Sequence, residues 1–401
     1  MEENRLKYNI NSSFLKLKKY CEDENYKGWD PYDGLNSKIF NLTPFKNWDL
    51  ARLIWIQGFK LSPLNFRNLL LVPKDYNAKG IALFLLGYCN LYEIIENGNK
   101  DFGLKENILS KINLLANLLC NLKSDGSSGA SWGYNFGWQA RKLFYFPKNT
   151  PTVVATSFCV EALFKAYEIT KNENYKNLAL TSSNFILNDL NRTSYKSGFL
   201  FSYSNINGNN TVLNASLLGV KTLSICYKYS KNEIYKKQAK QAVVAACSAQ
   251  SSDGSWVYGL LPIQSWIDSF HTGYNLDAIS TYQKFCNDFD FKKNIDDGFQ
   301  FYIKKFFTHD GIPKYYHNKT YPIDIHCPGQ LFVTLSKLDK FKTYEKLADK
   351  VMLWTINNMQ SDKGYFYYQL RRFFSSKISF MRWSNAFMFN SMVYYFKEKS
   401  K

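Results

Sequence analysis

One element recurs along this chain and restricts what it can fold into: a glycine turn followed closely by aromatic residues. "SSDGSWVYG", Ser251 to Gly259, is the fullest copy. Altered copies are Asp125-Gly126 with Trp132-Gly133-Tyr134, Gly198-Phe199 with Tyr203, Asp310-Gly311 with Tyr315-Tyr316, and Gly364-Tyr365 with Tyr367-Tyr368; a sixth, "GWDPYDGLN", runs from Gly28 to Asn36. Between the turns nearly every long segment is apolar at i, i+3, i+4 and i+7, without sustained period-two alternation, so the chain reads as mostly α. A helix is expected after each turn, beginning near Ala78, Pro151, Asn210, Asp268, Pro328 and Ser384. The spacing, roughly 55 to 75 residues, is one helical hairpin plus a decorated loop.

Five partner helices fall near Leu104 to Leu122, Tyr175 to Leu190, Glu233 to Ala249, Lys292 to Phe306 and Tyr344 to Met359. The sixth partner is the N-terminal helix around Leu6 to Cys21, which precedes the first turn as the others precede theirs. The last helix, Ser384 to Tyr395, then pairs with the first and leaves no exposed repeat end. Twelve helices in six pairs make an all-α (α/α)6 toroid, one domain over residues 1–401, with an insertion at about 47–75 that does not fit the period. In this arrangement Asp-Gly makes the sharp turn after each outer helix. The loops and the N-termini of the inner helices meet at one end, where unpaired N–H groups favour anions. Alternatively, the aromatics only plug the barrel mouth.

Aromatic residues are 17 % of the chain, more than a plain core needs, and the surplus is expected to line a cleft. Basic residues outnumber acidic ones by 51 to 33, a net charge of +18, which suits nucleic acid, an anionic membrane surface or an acidic or phosphate-containing glycan, or simply a solvated lysine-rich face. No nucleic-acid signature is present, and no Walker loop, dinucleotide fingerprint, HExxH or nucleophile elbow, so neither a nucleic-acid partner nor a cofactor or metal is expected. The eight cysteines are scattered without a CxxC pair and read as reduced, buried thiols. With an N-terminus unlike a secretory signal and apolar runs such as "IALFLLGY" too short to span a bilayer, the expectation is a cytoplasmic protein without a membrane span.

Only four histidines exist, and two occupy equivalent places: His271 in "WIDSFHTGYNL" and His326 in "YPIDIHCPGQ", each just after an acidic residue and near the start of an inner helix. Their ordinary pKa suits proton transfer near neutrality. Asp268 and Asp324 are expected to cap the helices, orient the imidazoles, or both. Trp132, Trp138, Trp256 and Trp383 are candidates to stack on pyranose faces, and Tyr134, Tyr258, Tyr274 and Tyr316 to offer hydroxyls. Arg141, Lys314, Arg371, Arg372 and Arg382 are candidates to hold carboxylate or phosphate. In "TPTVVATSF", Thr150 reads as an N-cap with Pro151 first in the helix, while Thr152 and Thr156 could face the funnel or not.

Taken together, "DGSWVYG", "WIDSFHTGYNL", "YPIDIHCPGQ" and "KISFMRWSNAFMF" resemble an α/α-toroid family found among bacterial capsule and exopolysaccharide biosynthesis proteins. The resemblance covers most of the chain and implies making or tailoring a surface polysaccharide. More distantly, the architecture is similar to that of glucuronyl C5-epimerases, N-acylglucosamine 2-epimerases, polysaccharide lyases and several glycoside hydrolases. The leading expectation is an enzyme that takes a proton from a sugar carbon, as an epimerase or a lyase. His271 and His326 share base and acid duties, Tyr274 or Tyr316 returns a proton, and Arg382 neutralises a carboxylate or enolate. Two alternatives remain: an inverting glycoside hydrolase using two of Asp33, Asp253, Asp268 and Asp324, and a non-catalytic polysaccharide-binding or assembly factor.

Overall fold

A computed structural model describes residues 2–140 and 144–401. In chain order the helices are α1 (Glu2–Asp23), α2 (Lys38–Leu42), α3 (Asp49–Leu61), α4 (Ala78–Glu96), α5 (Lys105–Asn121), α6 (Val153–Thr170), α7 (Glu173–Asn184), α8 (Leu213–Ser230), α9 (Glu233–Ser248), α10 (Ser269–Cys286), α11 (Lys292–Phe306), α12 (His326–Lys337), α13 (Glu345–Met359) and α14 (Phe387–Lys399). Six of them, α4, α6, α8, α10, α12 and α14, form an inner ring in which each packs on the next and α14 returns to α4. The outer helices α5, α7, α9, α11 and α13 each pack on the inner helix that precedes them, and α1 packs on α14. The chain is an all-α toroid of six hairpins, closed as the periodicity predicts.

Burial follows from this geometry. An inner helix touches neighbours on every side, and α8 is buried without a break from Leu213 to Cys226. An outer helix hides only a stripe; in α5 that stripe is Ile108, Ile112, Leu115, Ala116 and Leu119. α4 is the one described helix long and apolar enough to cross a membrane, and it is mostly buried between α6 and α14. The turns from inner to outer helices repeat a chemistry of their own. Lys171 and Lys231 end α6 and α8 in the left-handed region, and the Asn172 and Asn232 side chains then accept the Asn174 and Ile234 N–H groups at 3.0 Å to start the next helix.

At the other end of the ring the recurrent turns do two jobs. At Gly254 (φ +90°) and Gly364 (φ +97°) the chain is left-handed, and a Cβ would stand about 2.4 Å from the Asp297 and Lys16 carbonyl oxygens of α11 and α1. Only glycine lets the turn lie against the next outer helix. Trp132 and Trp256 then fold inward and donate their indole N–H to Leu119 O (2.8 Å) and Ala246 O (3.1 Å), carbonyls in the last turns of α5 and α9 that also accept the Leu122 and Ala249 N–H groups. Three short antiparallel sheets decorate this end: β1 (Trp138–Gln139) with β2 (Tyr145–Phe146), β3 (Arg192–Tyr195) with β4 (Gly198–Phe201), and β5 (Ile323–Asp324), β6 (Tyr367–Leu370) and β7 (Ser375–Ser379) together.

Two boundaries differ from the sequence expectation. The cap of α6 is Thr152, whose hydroxyl accepts the Ala155 N–H at 3.2 Å, and not Thr150; Thr156 accepts the Trp132 N–H at 3.0 Å, so both threonines serve backbone. The N-terminal Asp33-Gly34 does not make a left-handed turn like those at Gly126, Gly254, Gly311 and Gly364. Asp33 is buried in an ion pair with Arg67 at 2.7 Å and sits in a short 3-10 turn. The segment at 47–75 supplies α3, which packs on β1 and on the turn at Asp33–Asn36. All eight cysteines are free, seven of them buried.

Candidate active site

The N-terminal turns of the six inner helices surround a cavity of about 330 Å³, within the size range of small-molecule sites. Lys79 of α4, Val154 of α6, Asn214 of α8, His271 of α10 and His326 of α12 all line it, as do Arg382 and Trp383 from the π-helical turn Met381–Ala386 ahead of α14. Loop and strand aromatics build the walls. Tyr258 stacks on Trp266 at 4.4 Å, and Tyr134 lies parallel to Phe136 at 5.4 Å with its hydroxyl 3.2 Å from that of Tyr203.

The two imidazoles flank one ring. His271 and His326 lie 4.2 Å and 5.0 Å, centroid to centroid, from Phe270. Asp268 is the N-cap of α10: one oxygen accepts the His271 N–H at 3.0 Å, and the other lies 2.7 Å from His271 Nδ1 and 3.0 Å from the Trp266 indole nitrogen. With Nδ1 held by the carboxylate, Nε2 is the nitrogen left for a substrate proton. Asp268 therefore both caps and orients.

His326 is placed differently. Its ring is buried against Trp383 (4.1 Å) and Phe387 (3.6 Å), and Nδ1 has no hydrogen-bond partner, the nearest carboxylate oxygen being that of Asp324 at 3.8 Å. Burial first, then the nearby charges of Lys79 and Arg382, push its pKa well below the usual histidine value, so the ring is neutral. Asp324 accepts the His326 N–H (3.0 Å), the Trp383 indole (2.9 Å) and the Gln369 amide (2.8 Å). Burial nevertheless raises its carboxyl to about 6.

Of the residues singled out in the sequence, His271, His326, Tyr274, Tyr316, Arg382, Tyr134, Trp138, Tyr258 and Trp383 share the cavity wall, and Asp268 and Asp324 stand directly behind the imidazoles. Others lie elsewhere. Trp132 and Trp256 are anchors of the fold, as described above. Lys314 donates to the His317 carbonyl at 2.9 Å, and Arg372 is exposed over Phe373; neither lines the cavity. Arg371 bonds Gln369 at 3.0 Å behind it. Arg141 lies outside the described residues. Arg382 does line the cavity, but its charge is committed: Asp30 grips it with two bonds, 2.5 and 2.8 Å.

Sequence reasoning missed Lys79. This buried lysine lines the cavity 3.4 Å from the Tyr274 hydroxyl and over the faces of Phe158, Tyr274 and Phe387 at 4.3 to 5.1 Å, with no carboxylate paired to it. Burial, then the Arg382 charge, pulls its pKa well below the ordinary lysine value. The signal was available in "NAKGIALFLL", where a lysine interrupts the first turn of a helix apolar all round. Asp30, Tyr32 and Trp266 were missed as well, although each lies inside a quoted motif, the first two in "GWDPYDGLN" and the third at the head of "WIDSFHTGYNL".

No protein-family model and no curated protein matches the chain. Solved structures do. Cellobiose 2-epimerase from Bacillus thermoamylovorans is similar with a TM-score of 0.60 at 14 % identity, over 82 % of this chain and 90 % of that one. An unsaturated glucuronyl hydrolase specific for heparin aligns over 100 % and 99 % with a TM-score of 0.61 at 12 % identity. A GH76 α-mannanase from Bacteroides thetaiotaomicron gives 0.60 at 12 %, over 81 % and 88 %. At these identities the likeness is one of fold.

Proposed function

We propose that the protein is a sugar epimerase, moving a proton at the carbon next to a sugar carbonyl. One observation carries this: among the described residues the cavity wall holds two histidines and several tyrosines but no aspartate or glutamate. The four carboxylates that hydrolysis would draw on are engaged behind the wall or outside it: Asp33 with Arg67, Asp268 with His271, Asp324 with Trp383 and Gln369, and Asp253 with its own Ser255. An inverting hydrolase needs two carboxyls facing the bond with room for water between them.

In the proposed step, His271 Nε2 takes the proton from the carbon, and the C–H electron pair becomes an enediolate. Asp268 stabilises the imidazolium that forms. The opposite face is reprotonated through the second imidazole, His326: neutral at rest, it takes a proton from solvent water once the anionic enediolate has formed beside it and passes that proton to the carbon, while the His271 imidazolium returns its own to solvent; in the reverse direction the two exchange roles. The negative oxygen is answered by Lys79, a buried lysine of the cavity wall that no carboxylate neutralises, in place of Arg382. Tyr258 and Trp266 offer stacked faces for a pyranose ring. The fold shared with cellobiose 2-epimerase supports the same class of chemistry. Lyase chemistry on a uronate uses the same base and would also need a cation on the carboxylate.

The finer setting belongs to this proposal. The excess of basic residues fits an acidic or phosphate-containing glycan, the motif resemblance fits one destined for a surface polysaccharide, and the free, buried thiols fit a cytoplasmic protein. The test is incubation with a panel of reducing sugars and glycans in deuterated water, read by NMR. Deuterium at a sugar carbon together with the inverted sugar is expected. An unsaturated product would make it a lyase, and a new reducing end without label a hydrolase.

A further inference from the structure

Among the described residues, twenty-two large apolar side chains are exposed, and eleven of them fall between residues 39 and 71, about a twelfth of the chain. Leu42, Leu69 and Leu50 are 87 %, 72 % and 67 % exposed. Such a concentration is not the ordinary scatter of surface apolar groups. It also has order. Leu50, Ile54 and Leu61 stand at i, i+4 and i+11 on one face of α3 and are exposed, while Ile56 and Phe59 on the opposite face are buried. Trp48, at the start of α3, is exposed as well, its ring 5.4 Å from that of Phe45. No described residue covers this face.

Its charge points to the occupant. Residues 38 to 74 hold six basic side chains and one acidic. Arg67, Arg52 and Lys74 are paired with Asp33, Asp49 and Glu24, but Lys38, Lys46 and Lys60 have no carboxylate partner among the described residues. An apolar helix face beside an aromatic anchor and unpaired lysines, on a chain of net charge +18, matches the requirements of an interfacial helix on anionic lipid. We propose that the α3 face and its flanking loops dock the protein on an anionic bilayer, lying in the interface without spanning it.

The placement gives this docking a use. Gln57, at i+7 from Leu50, belongs to the same face of α3 and lines the cavity with Lys60, so the face is continuous with the rim. A second apolar and basic tip, Phe373 and Phe374 between Arg372 and Lys377, stands at the β6 to β7 turn, in the connection that leads into α14 at the mouth end. A bilayer under this rim would present a glycan carried on a lipid to the cavity; that consequence, unlike the docking, rests on the sugar chemistry proposed above.

The test is co-sedimentation of the full chain with phosphatidylcholine vesicles made with and without phosphatidylglycerol. Pelleting with the phosphatidylglycerol vesicles is expected, declining with salt. It should weaken by at least roughly tenfold in Leu50→Asp/Ile54→Asp and also in Lys38→Glu/Lys46→Glu, with the unfolding temperature retained in both because all four sites are exposed. Absence of pelleting, pelleting that neither variant changes, or a light-scattering dimer that Leu50→Asp/Ile54→Asp dissociates would overturn the proposal, the last by giving the face to a second copy of the chain. Lipid binding is read without any sugar, so its failure leaves the epimerase proposal standing.

Discussion

The two ends of the ring hold hollows of similar volume and opposite chemistry. The mouth cavity, about 330 Å³, lies among the N-termini of the inner helices; the other, about 370 Å³, lies among their C-terminal halves. At the far end the charges answer each other. Lys221 lies 2.7 Å from Glu161 and 2.6 Å from Asp277, Lys337 also reaches Glu161, Lys397 is 2.7 Å from Glu93, and Lys228 is 2.7 Å from Glu168. At the mouth, Lys79 has no carboxylate and His326 Nδ1 has no hydrogen bond. Buried polar groups are costly when unpaired. The chain pairs its buried charges at one end and leaves Lys79 and His326 among the groups open at the other, which fits the proposal that those two meet a substrate.

This contrast can be broken in several ways. The largest effect should come from the imidazoles. His271→Ala and His326→Asn are each expected to lower kcat by roughly 10² to 10⁴ on the true sugar substrate, with little change in unfolding temperature for the partly exposed His271. Next, Lys221→Met at the far end leaves Glu161 and Asp277 buried against a lost cation. Denaturant titration should show a loss of about 3–5 kcal/mol, with kcat unchanged well below the melting transition. Lys79→Met inverts that pattern: stability held or raised by about 1 kcal/mol, because no partner is orphaned, and kcat lowered roughly 10²-fold. If Lys79→Met and Lys221→Met behave alike, the two ends do not differ as described.

The smallest effect is on the pH dependence of stability, where the ends carry opposite signs. Burial tends to raise the Glu161 carboxyl, but Lys221 and Lys337 outweigh it and hold the group below its ordinary value. A depressed acid contributes stability above its unfolded pKa and loses it as pH falls through the folded value, so the far end weakens below about pH 4. Asp324 at the mouth is raised to about 6. The folded state therefore binds more protons than the unfolded one between about pH 4 and 6, and stability contributed there falls as pH rises across that window. Thermal melts of Glu161→Gln against the parent should flatten the acid limb alone.

Much of the ring was legible in the sequence because its signal is repeated. Six helix starts after six aromatic turns placed the inner helices to within a few residues, and the rarity of histidine isolated His271 and His326. The errors have one physical origin: a side chain's role near a turn depends on what the turn packs against. Trp132 and Trp256 follow glycine turns as a displayed aromatic would, yet those turns lie so close to the next outer helix that the indoles fold back onto carbonyls of the preceding one. Arg382 reads as a free cation until Asp30, 352 residues away, is brought to it by ring closure. Lys79 is buried by Phe158 and Phe387, which belong to the helices on either side of α4 in the closed ring. No local pattern encodes those meetings.

The central claim is that two imidazoles serve opposite faces of one sugar carbon. It is tested most directly by following solvent deuterium and configuration together in His271→Ala and His326→Asn. The account predicts that at least one variant still washes deuterium into the starting sugar while inversion is lost, since the remaining base can take and return a proton on its own face. Inversion at the parent rate in both variants would contradict it.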